Sequence, residues 1–454
     1  MPENIRLTID PVPGLIRKIA VPASIGFFFN TMFNVVDTYF AGWISTQALA
    51  ALSLSIPVFF IIIAMGSGIS TGTTALIANA LGSRKREKAQ TIAIQGISGG
   101  VLVGLGVTAL GMYVTPRIFC LLGASGLYLH ISIVYMDIIF AGTVFFMLNY
   151  MFNAILNALG DTRSFRNFLI IGFVLNIVLD PWFIYGGLGI PPLRVVGIAL
   201  STVLIQLVGC GYLGYRVYRT RLIRFGSVLD VLPRIGPLKE IAGQGLPASF
   251  HYLTIGLGFF VITYFISKFG KEAVAAYGIA IRIEQIVLLP TIGLNIATLT
   301  IVAQNNGASL FGRVRQTVNK ALYYGTLCWG IGIIWVILFA PYLMDLFTDN
   351  PEVIAIGTTY LRIAAWVFYA YVIIFIHIAA LQGVKRPMFG VYIGLLRQIV
   401  APVIVFYVLS QVLGYGLLGI WWGIFAITWI AALVTVAYTR HVLKQNEFQA
   451  VSAA

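Results

Sequence analysis

Val21-Pro22-Ala23-Ser24 recurs as Leu246-Pro247-Ala248-Ser249, 225 positions later in a chain of 454 residues. The same offset relates Thr38-Tyr39-Phe40 to Thr263-Tyr264-Phe265. Further pairs follow at offsets of 222 to 225 through the rest of each half, as Gly197-Ile198 and Gly419-Ile420 show. A near-constant offset over so long a stretch indicates that the chain contains two copies of one unit.

The composition around these repeats is that of a membrane protein. Hydrophobic residues make up 59% of the chain and charged residues only 10%, where a soluble domain carries about a quarter charged residues. The mean hydropathy is +0.93. The apolar residues form about a dozen runs of 20 or more, long enough to cross a bilayer as helices, so a soluble enzyme is excluded.

The apolar runs predict an all-α membrane protein with twelve transmembrane helices, six in each copy. The predicted spans are 14–42, 47–81, 91–116, 127–158, 167–186, 195–218, 241–268, 273–306, 316–340, 353–383, 388–412 and 416–443. The predicted organisation is an N-lobe at 1–218, a cytoplasmic linker at 219–240 and a C-lobe at 241–454. Because six is even, both copies start on the same side and form parallel repeats, an arrangement typical of alternating-access carriers.

The net charge of +14 is interpreted as a topology signal. With the N-terminus inside, 22 of the 29 basic residues fall in inner segments, four in outer segments and three within spans. Cytoplasmic loops retain Lys and Arg, so both termini are predicted to be cytoplasmic in a multi-pass protein of the plasma membrane, the inner membrane of a Gram-negative cell. No nucleic-acid partner is expected. The chain also lacks a Gly-Lys-Ser/Thr phosphate loop, so ATP hydrolysis is not expected.

Acids inside predicted spans mark a candidate ion site in the first half, because an ionisable group in a bilayer is costly. Asp37, Asp180 and Thr202 lie six or seven residues from the outer ends of their spans, at one depth. Asn176 shares a helical face with Asp180, and Asn34 with Asp37. The repeat places apolar residues opposite them in the second half.

Two neighbouring carboxylates in a low-dielectric cavity cannot both stay charged, so the pair predicts a proton carrier. The oxygens of Asp37, Asn176, Asp180 and Thr202 are equally suited to ligate Na⁺. The structural alternative is a buried hydrogen-bond network that only joins three helices. Asp137, in the fourth span, is predicted either to join this cavity or to have a structural role near its outer mouth.

In the second half, Glu284 and Arg397 lie about ten residues into their spans from opposite sides. This depth predicts a buried structural ion pair near mid-membrane, with lining of the substrate path as the alternative. No cofactor motif is present, and the chain is expected to need none beyond H⁺ or Na⁺ as coupling ion.

Three further motifs read Ala-Ile-Leu-Asn-Ala-Leu-Gly at 154–160, Asn176-Ile-Val-Leu-Asp180-Pro181, and Gly197-Ile-Ala-Leu-Ser-Thr202. Together with the six-plus-six spans, they resemble the multidrug and toxic compound extrusion (MATE) transporters over nearly the whole chain. Asp37 with Asn-x-x-x-Asp-Pro is similar to the DinF-like subgroup, where these positions bind the coupling ion. Ile255 stands where the NorM-like subgroup is expected to have an acid, which argues against a Na⁺ site in the C-lobe.

The resemblance implies a V-shaped, two-lobed carrier with a central cavity that exports amphipathic organic cations by H⁺ or Na⁺ antiport. The expected partners are small-molecule drugs and the lipid bilayer, and the expected state is a monomer. Two alternatives remain: a flippase for a lipid-linked precursor from the same superfamily, which needs a basic cavity, and an ion channel. An enzyme is not expected, since no nucleophile and base pair or metal cluster stands out.

Overall fold

The computed structural model describes residues 6–187, 189–223 and 228–452, so part of the predicted linker, 224–227, lies outside the described residues. The described chain is helical apart from turns and one isolated bridge between Gly187 and Ile190. Its α-helices are α1 Val12–Ile44, α2 Thr46–Gly82, α3 Arg86–Leu121, α4 Gly126–Ala141, α5 Thr143–Ala158, α6 Arg163–Tyr185, α7 Val195–Arg219, α8 Ile235–Ser267, α9 Lys271–Val287, α10 Leu289–Gly307, α11 Phe311–Asp345, α12 Pro351–Gly383, α13 Met388–Leu395, α14 Ala401–Tyr407 and α15 Gly416–Ser452.

Within these ranges, ten helical segments are long and apolar enough to span a membrane, and two bent helix pairs qualify when each is taken as one span. The prediction of twelve spans in an all-α membrane protein is therefore confirmed. One span, Met388–Val412, joins α13 and α14 through π-helical turns at Leu396–Val400 and Val408–Val412.

Two predicted spans, 127–158 and 273–306, are each broken into two helices. The bend is 46° between α4 and α5 and 47° between α9 and α10. At the first break Gly142 lets α7 approach closely, because a Cβ there would lie 2.5 Å from a methyl group of Val203. At the second break Pro290, in the first turn of α10, lacks the N–H that would continue the helix.

Contacts divide the chain into two compact units. The N-terminal unit runs from Ile25 to Ser249, and the C-terminal unit combines the residues up to Ser24 with those from Phe250 onward. Both boundaries fall inside a helix, two residues after Pro22 and Pro247. They lie 225 positions apart, the offset of the sequence repeat, whereas the lobe boundaries predicted at 218 and 241 follow the loops and stay a prediction.

The first part of α1 therefore belongs to the C-terminal unit, and the first part of α8 to the N-terminal unit. Glycines allow both contacts: a Cβ on Gly293 of α10 would collide with the Ser24 hydroxyl, and one on Gly68 of α2 with Ser249. The two glycines are 225 positions apart, and so are the two serines. The duplication thus extends to individual packing contacts within each unit.

The segments that precede α1 and α8 are held in matching ways. In the C-terminal unit the Arg313 guanidinium of α11 donates to the carbonyls of Leu7 (3.2 Å) and Asp10 (2.7 Å). In the N-terminal unit the Gln95 amide of α3 donates to the carbonyl of Leu232 at 2.8 Å. The later part of the predicted linker is therefore docked on α3, and α8 begins at Ile235, within the range predicted as linker.

Candidate functional site

Three helices of the N-terminal unit bring two acids together in a buried polar cluster. Asp37 lies on α1, Asn176 and Asp180 on α6, and Ser201 on α7. The exposed fraction is 8% for Asp37 and 0% for the other three. We call these four residues the acid cluster.

Hydrogen bonds link the acid cluster across the three helices. The Asn176 amide Nδ2 donates to Oδ1 of Asp37 at 2.8 Å, and the Ser201 hydroxyl donates to Oδ1 of Asp180. The carboxyl groups of Asp37 and Asp180 are direct electrostatic neighbours. Oδ2 of Asp180 and Oδ1 of Asn176 are buried with no hydrogen-bond partner among the described residues, which leaves two oxygens that a cation, a proton donor or water can satisfy.

Local sequence explains how α6 presents its part of the cluster. Asn176 and Asp180 are four residues apart and so share one helical face. Pro181 lies inside α6 and cannot donate to the carbonyl of Ile177 one turn earlier. α6 nevertheless continues to Tyr185, so both polar side chains are kept in register.

Of the predicted ion-site residues, Asp37, Asn176 and Asp180 meet, whereas Thr202 does not bond to the acids. The Thr202 hydroxyl donates to the carbonyl of Ile198 at 3.0 Å, a backbone contact within α7. Thr202 follows the cluster residue Ser201 directly, so the sequence prediction chose the adjacent hydroxyl. The rotation of α7 relative to α6 decides which of the two hydroxyl groups, that of Ser201 or that of Thr202, lies near Asp180.

Two residues predicted as accessory to the ion site, the amide Asn34 and the acid Asp137, lie apart from the acid cluster. The Asn34 amide donates to the carbonyl of Asn30 at 2.8 Å on the exposed side of α1. Asp137, on α4, is half-buried and has no hydrogen bond or ion pair within the described ranges. The structure therefore does not connect either side chain to Asp37.

One neighbour of the acids was not predicted. Tyr135 of α4 is 8% exposed and is an electrostatic neighbour of both Asp37 and Asp180. The sequence offered only an aromatic residue on an apolar helix, two positions before Asp137, and that pattern is more typical of packing. α4 packs on α7, the helix that carries Ser201 of the acid cluster.

The predicted ion pair between Glu284 and Arg397 is wrong. Glu284 Oε1 accepts a hydrogen bond of 2.6 Å from the Tyr360 hydroxyl. Arg397 instead places its guanidinium 5.1 Å from the ring centre of Tyr371, where a cation–π contact stabilises it. Equal depth in the bilayer was therefore not sufficient evidence for a contact, because α9 and the π-helical turn at Arg397 direct the two side chains to different tyrosines.

Glu284 adjoins a buried aromatic cluster in the C-terminal unit. The ring centres of Tyr360 and Trp421 are 4.6 Å apart, and those of Tyr277 and Tyr360 are 5.5 Å apart. Among the described residues, no group of three or more His, Cys, Asp or Glu side chains could hold a metal ion. The acid cluster of the N-terminal unit contains two neighbouring buried carboxyl groups.

Comparison with known proteins identifies the family. The MatE family model matches residues 22–182 and again 247–408, two stretches separated by the repeat offset. The probable multidrug resistance protein NorM of Thermotoga maritima is 28% identical over 415 residues, covering 90% of this chain and 88% of NorM. The FAD transporter of Shewanella oneidensis is 26% identical and covers 88% of each chain.

A solved structure shows the same fold at full length. It is an outward-facing conformation of a multidrug resistance MATE family transporter of the MOP superfamily. The TM-score is 0.91 at 26% identity, over 98% of this chain and 99% of that one. With a family model that matches most of its length in two copies, the chain belongs to the MATE family of multidrug transporters, which are membrane carriers and not enzymes.

Proposed function

We propose that this protein exports organic cations in exchange for H⁺ or Na⁺, and that Asp37 and Asp180 bind the coupling ion. The observation that carries the proposal is the adjacency of two buried carboxyl groups on different helices. Neither acid has a Lys or Arg partner among the described residues. An unneutralised pair of this kind is expensive inside a bilayer and is expected to be functional.

As a proton site, the acid cluster holds one shared proton in preference to two negative charges. The proton places an O–H between the carboxyl groups and satisfies the orphaned Oδ2 of Asp180. Ser201 and Asn176 keep donating to the two Oδ1 atoms, so the geometry survives protonation. The cluster then carries one negative charge, and its attraction for an organic cation weakens.

As a Na⁺ site, the same atoms supply oxygen ligands. Oδ2 of Asp180 and Oδ1 of Asn176 have no partner in the described chain, and the remaining carboxyl oxygen of Asp37 adds a third. Thr202 contributes only if its hydroxyl leaves the Ile198 carbonyl. H⁺ and Na⁺ occupy the same atoms in this scheme and therefore compete.

The finer assignments follow the same proposal. The chain is placed in the DinF-like subgroup, because Asp37 and Asp180 supply the ion site and Ile255 is not acidic. We place the protein in the plasma membrane as a monomer. The distribution of its 29 basic residues supports cytoplasmic positions for both termini.

A second candidate function is export of a flavin nucleotide. It is supported by the FAD transporter of Shewanella oneidensis, which matches 88% of this chain. The unneutralised acids of the N-terminal unit argue against it, since an anionic nucleotide is repelled by the charge that attracts a cation. The transport test below includes both substrates.

Transport into everted membrane vesicles tests the proposal. Ethidium should accumulate against its gradient when the vesicle interior is acidic or loaded with Na⁺, because the ion leaving the vesicle drives substrate entry. FAD should not accumulate under either gradient, and vesicles lacking the protein provide the control. Ethidium uptake that ignores both gradients, or that only equilibrates, would contradict antiport and favour a channel.

A further inference from the structure

The C-terminal unit contains a second feature that ion-coupled export does not use. A cavity of about 520 Å³ lies between α11, α12 and α15. Each helix contributes one face at helical spacing: Arg315, Asn319 and Leu322 on α11, for example, are three or four residues apart. We call this space the basic cavity.

Cations concentrate on one end of the basic cavity. Arg315, Arg440 and Lys444 line it, and all three side chains lie in segments predicted to reach the cytoplasmic surface. Arg315 pairs with Glu447. Arg440 and Lys444 have no acidic partner among the described residues, so the cavity has an uncompensated positive charge.

Polar and then apolar side chains follow toward the membrane interior. Asn319 has no hydrogen-bond partner in the described chain, which leaves its amide available as a donor next to the cations. His377 is 4% exposed and its Nδ1 lies 2.8 Å from the carbonyl of Ile373. Leu322 and Val436, one to two turns further from the cations, supply the apolar part of the lining.

Two of the cavity cations have no basic residue at the matching position of the other copy of the repeat. At the offset of 222 that relates Gly419 to Gly197, Arg440 corresponds to Tyr218 and Lys444 to Leu222. A general requirement for cytoplasmic basic residues would be met by either copy at any exposed position. The repeat itself therefore does not account for Arg440 and Lys444, and both of them line the cavity.

We propose that the basic cavity binds an anionic phospholipid, with the headgroup phosphate at Arg440, Lys444 and Asn319 and an acyl chain along Leu322 and Val436. The gradient from cationic to apolar lining matches such a lipid, which has its charge at one end only. Basic pockets between transmembrane helices on the cytoplasmic side suit phosphate headgroups. A free phosphate ion would use the cations and leave the apolar part unfilled.

The test measures lipid binding to the purified full-length protein in neutral detergent, by native mass spectrometry. Wild type should retain phosphatidylglycerol in preference to phosphatidylcholine. The double variant Arg440→Gln/Lys444→Gln should bind phosphatidylglycerol about thirtyfold more weakly, since each basic residue near an anionic headgroup contributes about one kcal/mol. Both side chains are exposed, so the variant should fold.

A charge-matched control separates the cavity from general electrostatics. Lys320→Gln/Arg386→Gln removes two exposed cations of the same unit that do not line the cavity, and it should bind phosphatidylglycerol like wild type. Asn319→Trp keeps every charge but fills the space, and it should weaken binding about tenfold if the lost contacts amount to one well-formed polar group.

Three results would overturn the proposal. Equal phosphatidylglycerol retention by wild type and Arg440→Gln/Lys444→Gln would show that the cavity cations bind no lipid. Equal loss in the control would show general surface attraction. Displacement of the lipid by millimolar inorganic phosphate would assign the cavity to a free anion. These readouts are independent of transport, so they stand whatever the coupling ion is.

Discussion

Asp37→Asn is expected to abolish export while the protein remains folded. The asparagine keeps an oxygen for the 2.8 Å hydrogen bond from Asn176, and it removes a buried charge, so the fold loses nothing. The coupling ion loses a charged ligand, and breaking a buried charge contact costs about 2–5 kcal/mol, or at least about thirtyfold in affinity. Gradient-driven ethidium uptake into everted vesicles should fall to the level of vesicles without the protein.

Asp137→Asn is the matched control for this substitution. Asp137 is a half-buried acid on α4 of the same unit, without a hydrogen bond or ion pair in the described ranges. The Asp137→Asn variant should retain wild-type ethidium uptake at equal protein level. Normal uptake by Asp37→Asn would remove Asp37 from the mechanism. An equal loss of uptake in both variants would show that the effect is not specific to Asp37.

Of the substitutions considered for the N-terminal unit, Gly68→Ala should produce the largest loss of thermal stability. A Cβ at Gly68 of α2 would collide with the backbone and hydroxyl of Ser249 on α8. Backbone cannot be moved aside like the end of a flexible side chain, and overpacking a tight contact costs about 1–3 kcal/mol. The melting temperature of the detergent-purified protein should fall clearly, and Gly293→Ala should act alike through Ser24.

The control for this prediction is Gly106→Ala on α3. No heavy atom lies within 4 Å of the Cβ position there, and alanine favours a helix over glycine by about 1 kcal/mol, so the melting temperature should hold or rise. A Gly68→Ala variant as stable as Gly106→Ala would mean that α2 and α8 do not pack closely.

The sequence predicted the spans well because apolar length is a direct consequence of bilayer thickness. It did not predict the breaks at Gly142 and Leu288, since neither interrupts an apolar run. The sequence-based lobe boundaries follow the loops, and the division of the contact units inside α1 and α8 is a separate finding of the structure. Pro22 and Pro247 were visible as repeated residues, but sequence contains no signal for which unit the first turns of a helix contact.

The candidate site was predicted at the level of helix and depth, and less well at the level of side chains. Asp37 and Asp180 were found because a charge in an apolar run is conspicuous. The choice of Thr202 over Ser201 depended on helix rotation, which depth does not determine. The Glu284 and Arg397 pair failed for a related reason: each found a tyrosine on a neighbouring helix, a contact that depends on tertiary packing alone.

Proton release on substrate binding tests the central claim, that Asp37 and Asp180 share the coupling ion, most directly. Purified wild type in weakly buffered, Na⁺-free detergent solution should release about one proton when tetraphenylphosphonium is added, because the shared proton and the cation exclude each other. The Asp37→Asn/Asp180→Asn variant should release none, and if Na⁺ is the coupling ion the wild-type release should disappear as Na⁺ fills the site. Equal proton release from wild type and the double variant would contradict the account.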